Sequence, residues 1–211
     1  TEQLGRRDPT GGQVVLKKRF AFMETFPLAD GGLVQFDPHF LDNESAEATF
    51  SALRRGCAWE QKPGLFGRPQ PRMIASYGDP GLTYRYSGVT NVARPWLPAM
   101  LELRDRIAAI NGRYNFCLAN LYRDGTDSMG WHADDEPEMG PIIASLTFGA
   151  TRRFRIRHNN TREIHEFALG HGALLIMSGT MQQYWQHEIP KTRLSVGERI
   201  NLTFREVLSS D

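Results

Sequence analysis

Cysteine is scarce in this chain. Only Cys57 and Cys117 occur among 211 residues, too few for a disulfide scaffold, and neither belongs to a metal-binding Cys-x-x-Cys pair. A reducing, intracellular setting is the expectation. No run of 18 or more apolar residues is present, so nothing reads as a membrane-spanning helix. The first residues, Thr1 to Arg7, lack the apolar stretch of a secretory signal. With no other targeting signal, a bacterial cytoplasm or a eukaryotic nucleus is the expected location. Nor is charge of one sign in excess: 25 Lys and Arg against 24 Asp and Glu leave a net +1. Affinity for a polyanion would therefore have to come from local distribution rather than from the total. Internal repeats and low-complexity tracts are missing as well.

What is present fits one compact domain with a substantial core. Residues 1–13 are polar and glycine-bearing and read as a flexible tail. Segment 14–113 holds two helices. The first runs from Asp42, a capping residue, to Gly56, with Ala46, Phe50 and Leu53 on one face. The second follows Pro95, with Leu97, Met100, Leu101, Ile107 and Ala108 at helical spacing, and ends at Asn111-Gly112. Between them Pro63 to Pro71 reads as loop and hairpin. From residue 114 to 208 the pattern changes to short period-2 runs separated by glycines. Strands are expected near 115–122, 142–148, 152–158, 163–169, 173–178, 183–189 and 198–206. The gaps are too short for crossover helices, which excludes a parallel α/β sheet. The fold class is mainly β with flanking helices, an α+β arrangement.

Because successive strand residues face opposite ways, each strand is a list of two faces. Phe116–Tyr122 puts Phe116, Leu118, Asn120 and Tyr122 on one side and Cys117, Ala119 and Leu121 on the other. Arg199–Arg205 divides more sharply: Arg199, Asn201, Thr203 and Arg205 against Ile200, Leu202 and Phe204. Its polar face suits either a solvent-exposed strand or the mouth of a barrel. In a barrel mouth it would receive a small dianion, since guanidinium binds carboxylate bidentately.

The segment Trp131-His132-Ala133-Asp134-Asp135-Glu136 contains a His-x-Asp pair. On extended chain both side chains point one way, as two ligands of a 2-His-1-carboxylate triad would, and such a triad leaves positions open on iron(II). A distant histidine must complete it. His39 lies in a turn before the first helix, where a surface or capping role fits. His158 and His165 bracket the Asn159-Asn160-Thr161 turn and are expected at the surface, and His171 serves the Gly170-His171-Gly172 turn. His187 is mid-strand, on one face with Trp185 and Ile189, and shortly precedes the Arg199–Arg205 strand. A zinc hydrolase would accept the same ligands, but it would leave a dianion receptor unexplained. A co-substrate such as 2-oxoglutarate accounts for both, chelating the metal at one end and offering a carboxylate at the other.

At this point the chain resembles a known family, the AlkB-type nucleic-acid dioxygenases, from about Pro71 to Val207. The likeness is densest from Asn120-Leu121-Tyr122-Arg123-Asp124-Gly125 through Gly130-Trp131-His132 to Glu136. It resumes in Ile143–Gly149, Arg153–His158, His171–Met177 and Arg199-Ile200-Asn201-Leu202-Thr203-Phe204-Arg205. Through Tyr77-Gly78-Asp79 and Thr83-Tyr84-Arg85-Tyr86-Ser87-Gly88 it is most similar to the vertebrate DNA-repair homologues of AlkB. The resemblance implies a double-stranded β-helix, or jelly roll, with an N-terminal nucleotide-recognition region. It implies iron(II) on His132, Asp134 and His187. It also implies 2-oxoglutarate on Arg199, helped by Asn120 and Tyr122, with Asn201 and Arg205 by its chelating end. Dioxygen is the oxidant. The family removes methyl groups from base nitrogens, as in 1-methyladenine and 3-methylcytosine, releasing formaldehyde and succinate.

Such chemistry on a duplex requires a flipped base. By the same resemblance Tyr86 and the His132 ring sandwich the base, Glu136 and Tyr84 contact its polar edge, and Ser87 and Arg72 join the substrate set. Without the resemblance the tyrosines read as ordinary strand packing. Leu65-Phe66-Gly67 falls where duplex-acting relatives carry an apolar finger: an exposed Phe66 would be a wedge, a buried one a plug. Arg153, Arg155 and Arg157, with Arg152 adjacent, form either a solvated face or a phosphate contact, to which Lys17-Lys18-Arg19 and Arg54-Arg55 could add. The expected partner is methylated DNA, with RNA as an alternative, for a monomer that needs no membrane. Other readings are a dioxygenase of the same fold acting on RNA, protein or lipid, and a lesion-binding module without catalysis.

Overall fold

The computed structural model describes residues 23–63, 67–86 and 89–208, with 84–86 and 89–91 described by their backbone alone. Phe66, Ser87 and Lys17 to Arg19 lie outside the described residues.

The helices form where capping and periodicity dictate. Asp42 caps α1 (Asn43–Gly56), its Oδ1 accepting from the Ser45 backbone N at 2.8 Å, which satisfies one of the orphan donors of the first turn. Ala46 and Leu53 are its fully buried residues. Helix α2 (Pro98–Ala108) starts at a proline whose fixed φ suits the first helical position, and it buries Met100, Leu103 and Ile107.

Two facing sheets make the body. The large one contains β1 (Glu24–Pro27), β2 (Gly32–Asp37), β3 (Met73–Gly78), β6 (Arg94–Pro95), β7 (Phe116–Tyr122), β9 (Ile143–Gly149), β12 (Leu174–Gly179) and β14 (Arg199–Arg205). Their spatial order is β1-β2-β12-β9-β14-β7-β3-β6. The small sheet has the order β11-β10-β13-β8, from β8 (Met129–His132), β10 (Arg152–His158), β11 (Ile164–Leu169) and β13 (Trp185–Ile189). A separate hairpin joins β4 (Thr83–Tyr86) to β5 (Val89–Val92). This is the mainly β, jelly-roll architecture expected. Strands β1, β2 and β3 come from the segment before residue 114, so that segment and the one after it are interleaved in one sheet.

Every residue of β14 is buried, on both faces. Ile200, Leu202 and Phe204 pack with Leu121, Leu146 and Ile176 against Leu53, Met100 and Ile107 of the helices. A leucine there contributes about 1.5–3 kcal/mol by leaving water. The opposite face looks into the space between the sheets, where Ile143, Phe154, Ile156, Met177 and Trp185 form a second cluster. Its outer end is closed by Phe26 and Phe36 meeting Phe167 edge-on at 5.3 and 5.6 Å between ring centres. The solvent-strand alternative for β14 is therefore excluded, because the two layers cover both of its sides.

Strands β1 to β6 and β8 were not expected from the sequence, whereas the seven expected strands begin and end close to their limits, with one difference. Residues 181–184 form a one-turn helix, α3 (Met181–Tyr184), before β13 starts at Trp185. His158 also departs from expectation: it is 1 % exposed. Its Nε2 lies 2.8 Å from Asp30 Oδ2 and its Nδ1 accepts from the Thr161 backbone N. It closes the turn from inside because the 3-10 turn Ala29–Gly31 folds over it. His39 and His165 are at the surface and half-exposed respectively, and His171 Nδ1 accepts from the Gly149 backbone N at 2.8 Å. Gly149 has φ +81, and a side chain there would run into the Glu198 carbonyl.

Candidate metal centre

Strand pairing brings the two sequence-distant histidines together. In the β8–β13 ladder His132 is directly opposite His187, and their ring centres are 4.1 Å apart. Asp134 follows two residues after His132. His132 Nε2 lies 4.0 Å from Asp134 Oδ1, and His187 Nε2 lies 3.7 Å from Asp134 Oδ2. Among the described residues this is the one group of three or more His, Cys, Asp or Glu side chains that could hold a metal, with ligand atoms within 4.8 Å of one another.

The surroundings prepare these groups as ligands. His132 Nδ1 lies 2.8 Å from the Gly130 carbonyl, which must accept, so the proton sits on Nδ1 and Nε2 keeps its lone pair. Burial holds the His132 ring below its ordinary pKa. Burial, and then the neighbouring His132 charge, depress His187 to about 3. Burial pushes the Asp134 carboxyl up, but Arg205, His187 and His132 outweigh it and hold the group below the ordinary carboxylate value. At neutral pH the set is two neutral imidazoles and one carboxylate. Arg205 Nη2 donates to Asp134 Oδ2 at 2.7 Å, while the buried Oδ1 has no hydrogen-bond partner. An unsatisfied buried carboxylate oxygen 4.0 Å from one imidazole, on a carboxylate whose other oxygen lies 3.7 Å from the second, is what a divalent ion would satisfy.

The same cavity, about 570 Å³ including its mouth, is lined by these residues and by Asn120, Tyr122, Arg199, Asn201 and Arg205. Period-2 geometry put Asn120 and Tyr122 on one strand face and Arg199, Asn201 and Arg205 on another; the sheet order sets β14 beside β7 in register, with Asn201 opposite Asn120 and Arg199 opposite Tyr122, and both faces line the cavity. Arg199 is 1 % exposed. Its Nη2 donates to Thr147 Oγ1 at 2.9 Å and its guanidinium sits 5.1 Å from the Tyr122 ring centre. Its Nε and Nη1 have no hydrogen-bond partner. Burial pushes its pKa down to about 10, with Tyr122 opposing and Arg152 adding to the effect. A buried fork with two unused donors fits a carboxylate.

Other polar residues complete the lining. Asn201 Nδ2 donates to Ser145 Oγ at 2.8 Å and Thr203 Oγ1 donates to Asn201 Oδ1 at 3.0 Å, which fixes the amide. Thr203 belongs to the polar face already read from the sequence, whereas Ser145 and Thr147 were missed, although they alternate with Ala144, Leu146 and Phe148 and carry the same period-2 signal.

The substrate-side candidates are less gathered. Arg72 lines the cavity, buried, with Nε donating to Asn120 Oδ1 at 2.9 Å. Glu136 is half-buried and is not among the lining residues. Tyr84 and Tyr86 lie on β4. The arginine run divides. Arg152 is buried and donates to the carbonyls of Asp124, Asp127 and Pro190 at 3.0, 2.9 and 2.7 Å, so it is a structural clamp and not a phosphate contact. Arg153, Arg155 and Arg157 share the outer face of the small sheet. Arg155 and Arg157 lie 5.4 and 4.2 Å from the Trp131 ring centre, and Arg155 pairs with Glu188 at 3.0 Å. Arg54, at the far end of α1, is matched by Glu198 at 2.8 Å.

Comparison with known proteins agrees with this geometry. The 2OG-Fe(II) oxygenase superfamily matches residues 34–205. The chain is 43% identical over 186 residues to bovine (Bos taurus) "Alpha-ketoglutarate-dependent dioxygenase alkB homolog 3", covering 81% of this chain and 64% of that protein. It is 42% identical over 160 residues to mouse (Mus musculus) "DNA oxidative demethylase ALKBH2", covering 70% of this chain and 67% of that one. It thus spans less than two thirds of the length of the alkB homolog 3 relative. The solved structure described as "The structure of OsALKBH1" superimposes with a TM-score of 0.63 at 16% identity, over 87% of this chain and 100% of that one, a likeness of fold.

Proposed function

The chain belongs to the 2OG-Fe(II) oxygenase superfamily, and on that premise we propose that it oxidatively demethylates alkylated nucleobases of the 1-methyladenine and 3-methylcytosine type. The substrate is DNA, with RNA as the alternative, and the protein acts as a monomer away from membranes. The observation that carries the reading is one cavity holding both the His132, Asp134 and His187 group and the unmatched Arg199 fork. A zinc hydrolase needs only the first of these. The relatives' names supply the substrate class.

His132, Asp134 and His187 would hold the iron, and Arg199 would take the distal carboxylate of 2-oxoglutarate through Nε and Nη1. Asn201, fixed by Ser145 and Thr203, and Arg205 would orient the end nearest the metal, with Asn120 and Tyr122 beside it. When bound, iron(II) and 2-oxoglutarate supply the power to oxidise a methyl carbon with dioxygen, leaving succinate, carbon dioxide and, from the base, formaldehyde. The protein places the reactants and keeps water out: Met129, Phe154, Met177 and Ile189 are the apolar wall of the cavity. Tyr86 and His132 would stack the flipped base, with Tyr84, Ser87, Glu136 and Arg72 around its polar edge and Phe66 as the finger. Arg153, together with Arg157 beside Trp131, would meet phosphates.

Formaldehyde and succinate released from methylated single-stranded DNA, duplex DNA and RNA are the direct test. Turnover should require both iron(II) and 2-oxoglutarate and should vanish in His132→Ala. Turnover without 2-oxoglutarate would refute the reaction, and release from none of the three nucleic acids would refute the substrate class.

A further inference from the structure

Resting on the metal-centre reading above, we propose that Gln182 is the positioning residue for Asp134, setting the affinity and geometry of the metal site. Strand β8 ends at His132, whose ladder partner is His187. Asp134 stands two residues beyond that end. A residue within a ladder has its backbone fixed by the neighbouring strand, whereas one past the end must find another partner or fray.

Gln182 supplies that partner. Its Oε1 accepts from the Asp134 backbone N at 2.9 Å, and the two residues are 8 % and 2 % exposed. An N–H requires an acceptor, so chemistry fixes which end of the amide faces Asp134. Nε2 then points the other way, buried and without a hydrogen-bond partner. Leaving buried donors unmade is unfavourable, and a methionine of similar length would fill the space without that penalty. The benefit of an amide therefore lies at its oxygen, on Asp134.

The connection has a second consequence. Gln182 sits on α3, which leads directly into β13 and His187, so one turn of chain holds the carboxylate ligand and delivers the distant histidine. Asp134 is gripped at two points, by Gln182 on the backbone and by Arg205 on Oδ2. These leave Oδ1, which has no hydrogen-bond partner, 4.0 Å from His132 Nε2.

The test is cobalt(II) titration of the metal-free protein with 2-oxoglutarate present, read from the visible d–d absorption, for wild type, Gln182→Met and Gln182→Glu. Thermal melts establish that each variant is folded. Gln182→Met should bind cobalt about 10- to 100-fold more weakly and show an altered band shape. Gln182→Glu keeps an acceptor for the Asp134 N–H and should bind within about threefold of wild type. A folded Gln182→Met with wild-type affinity and spectrum would overturn the proposal. So would a folded Gln182→Glu weakened by about tenfold or more, the outcome that decides should the methionine variant not fold. A wild type that takes up no cobalt would overturn the metal-centre reading itself, and the role of Gln182 with it.

Discussion

Arg199→Met separates two opposed consequences of one buried charge. Without co-substrate the guanidinium is a burden. Burial lowers its pKa to about 10, well below the ordinary arginine value, and each unit corresponds to about 1.4 kcal/mol, so the charge destabilises the fold by on the order of 3 kcal/mol. Above about pH 10 the folded chain binds fewer protons than the unfolded one. The penalty is thus complete below that pH and fades as the pH rises toward the ordinary arginine value. Methionine removes it and gives up one hydrogen bond to Thr147 and the contact with Tyr122. The variant without co-substrate should melt no lower than wild type and up to roughly 10 °C higher, at about 2–4 °C per kcal/mol for a domain of this size. With co-substrate the balance reverses. Losing a buried charge pair costs about 2–5 kcal/mol, which weakens 2-oxoglutarate binding by roughly 30-fold to several thousand-fold. Calorimetric titration of cobalt-loaded protein measures this directly. Pyruvate, which has the chelating end but no distal carboxylate, should not distinguish the two proteins. An Arg199→Met protein that bound 2-oxoglutarate within about fivefold of wild type would refute the assignment.

Three further outcomes are expected. Arg152→Ala leaves three carbonyls without their donor and should lower stability by about 3 kcal/mol or more in urea melts, while leaving the salt dependence of nucleic-acid binding unchanged. Arg153→Ala, at an exposed position on the outer face, should do the opposite: near-normal stability, with the slope of log K against log salt reduced by about one. The metal-free protein should lose stability in acid. His187 is held near 3 against an unfolded value of 6.5, so between those values the unfolded chain carries the extra proton. Stability then falls as pH drops below about 6.5, by up to about 1.4 kcal/mol per unit. Urea melts from pH 7.5 to 5 would show this, and a flat profile would contradict the burial of that ring.

Much of the site was legible because strand periodicity is a local property. Asn120 and Tyr122, or Arg199, Asn201 and Arg205, share a face for any strand, whatever packs against it. The same logic showed Ile200, Leu202 and Phe204 to be a buried side. It could not say whether the polar side met water, since that depends on a second sheet contributed by distant chain. Arg152 shows the limit from the other direction. It is next to Arg153 in the chain, and only the loop 123–128 and the end of β13 converging on it turn an expected phosphate contact into a clamp. Gln182 gave no sign at all, for a one-turn helix has no period to read.

The sequence by itself thus determined the mainly β class, the capped helices, which polar residues share a strand face and the His-x-Asp pair, all of them set by neighbours within a few positions. Tertiary structure alone decided that His187 stands opposite His132, that Arg199 is buried, and that Asp134 is held from two sides. Each of these depends on segments more than 40 residues apart being packed together. It is that packing, by excluding water, that turns ordinary side chains into a metal centre and an anion receptor.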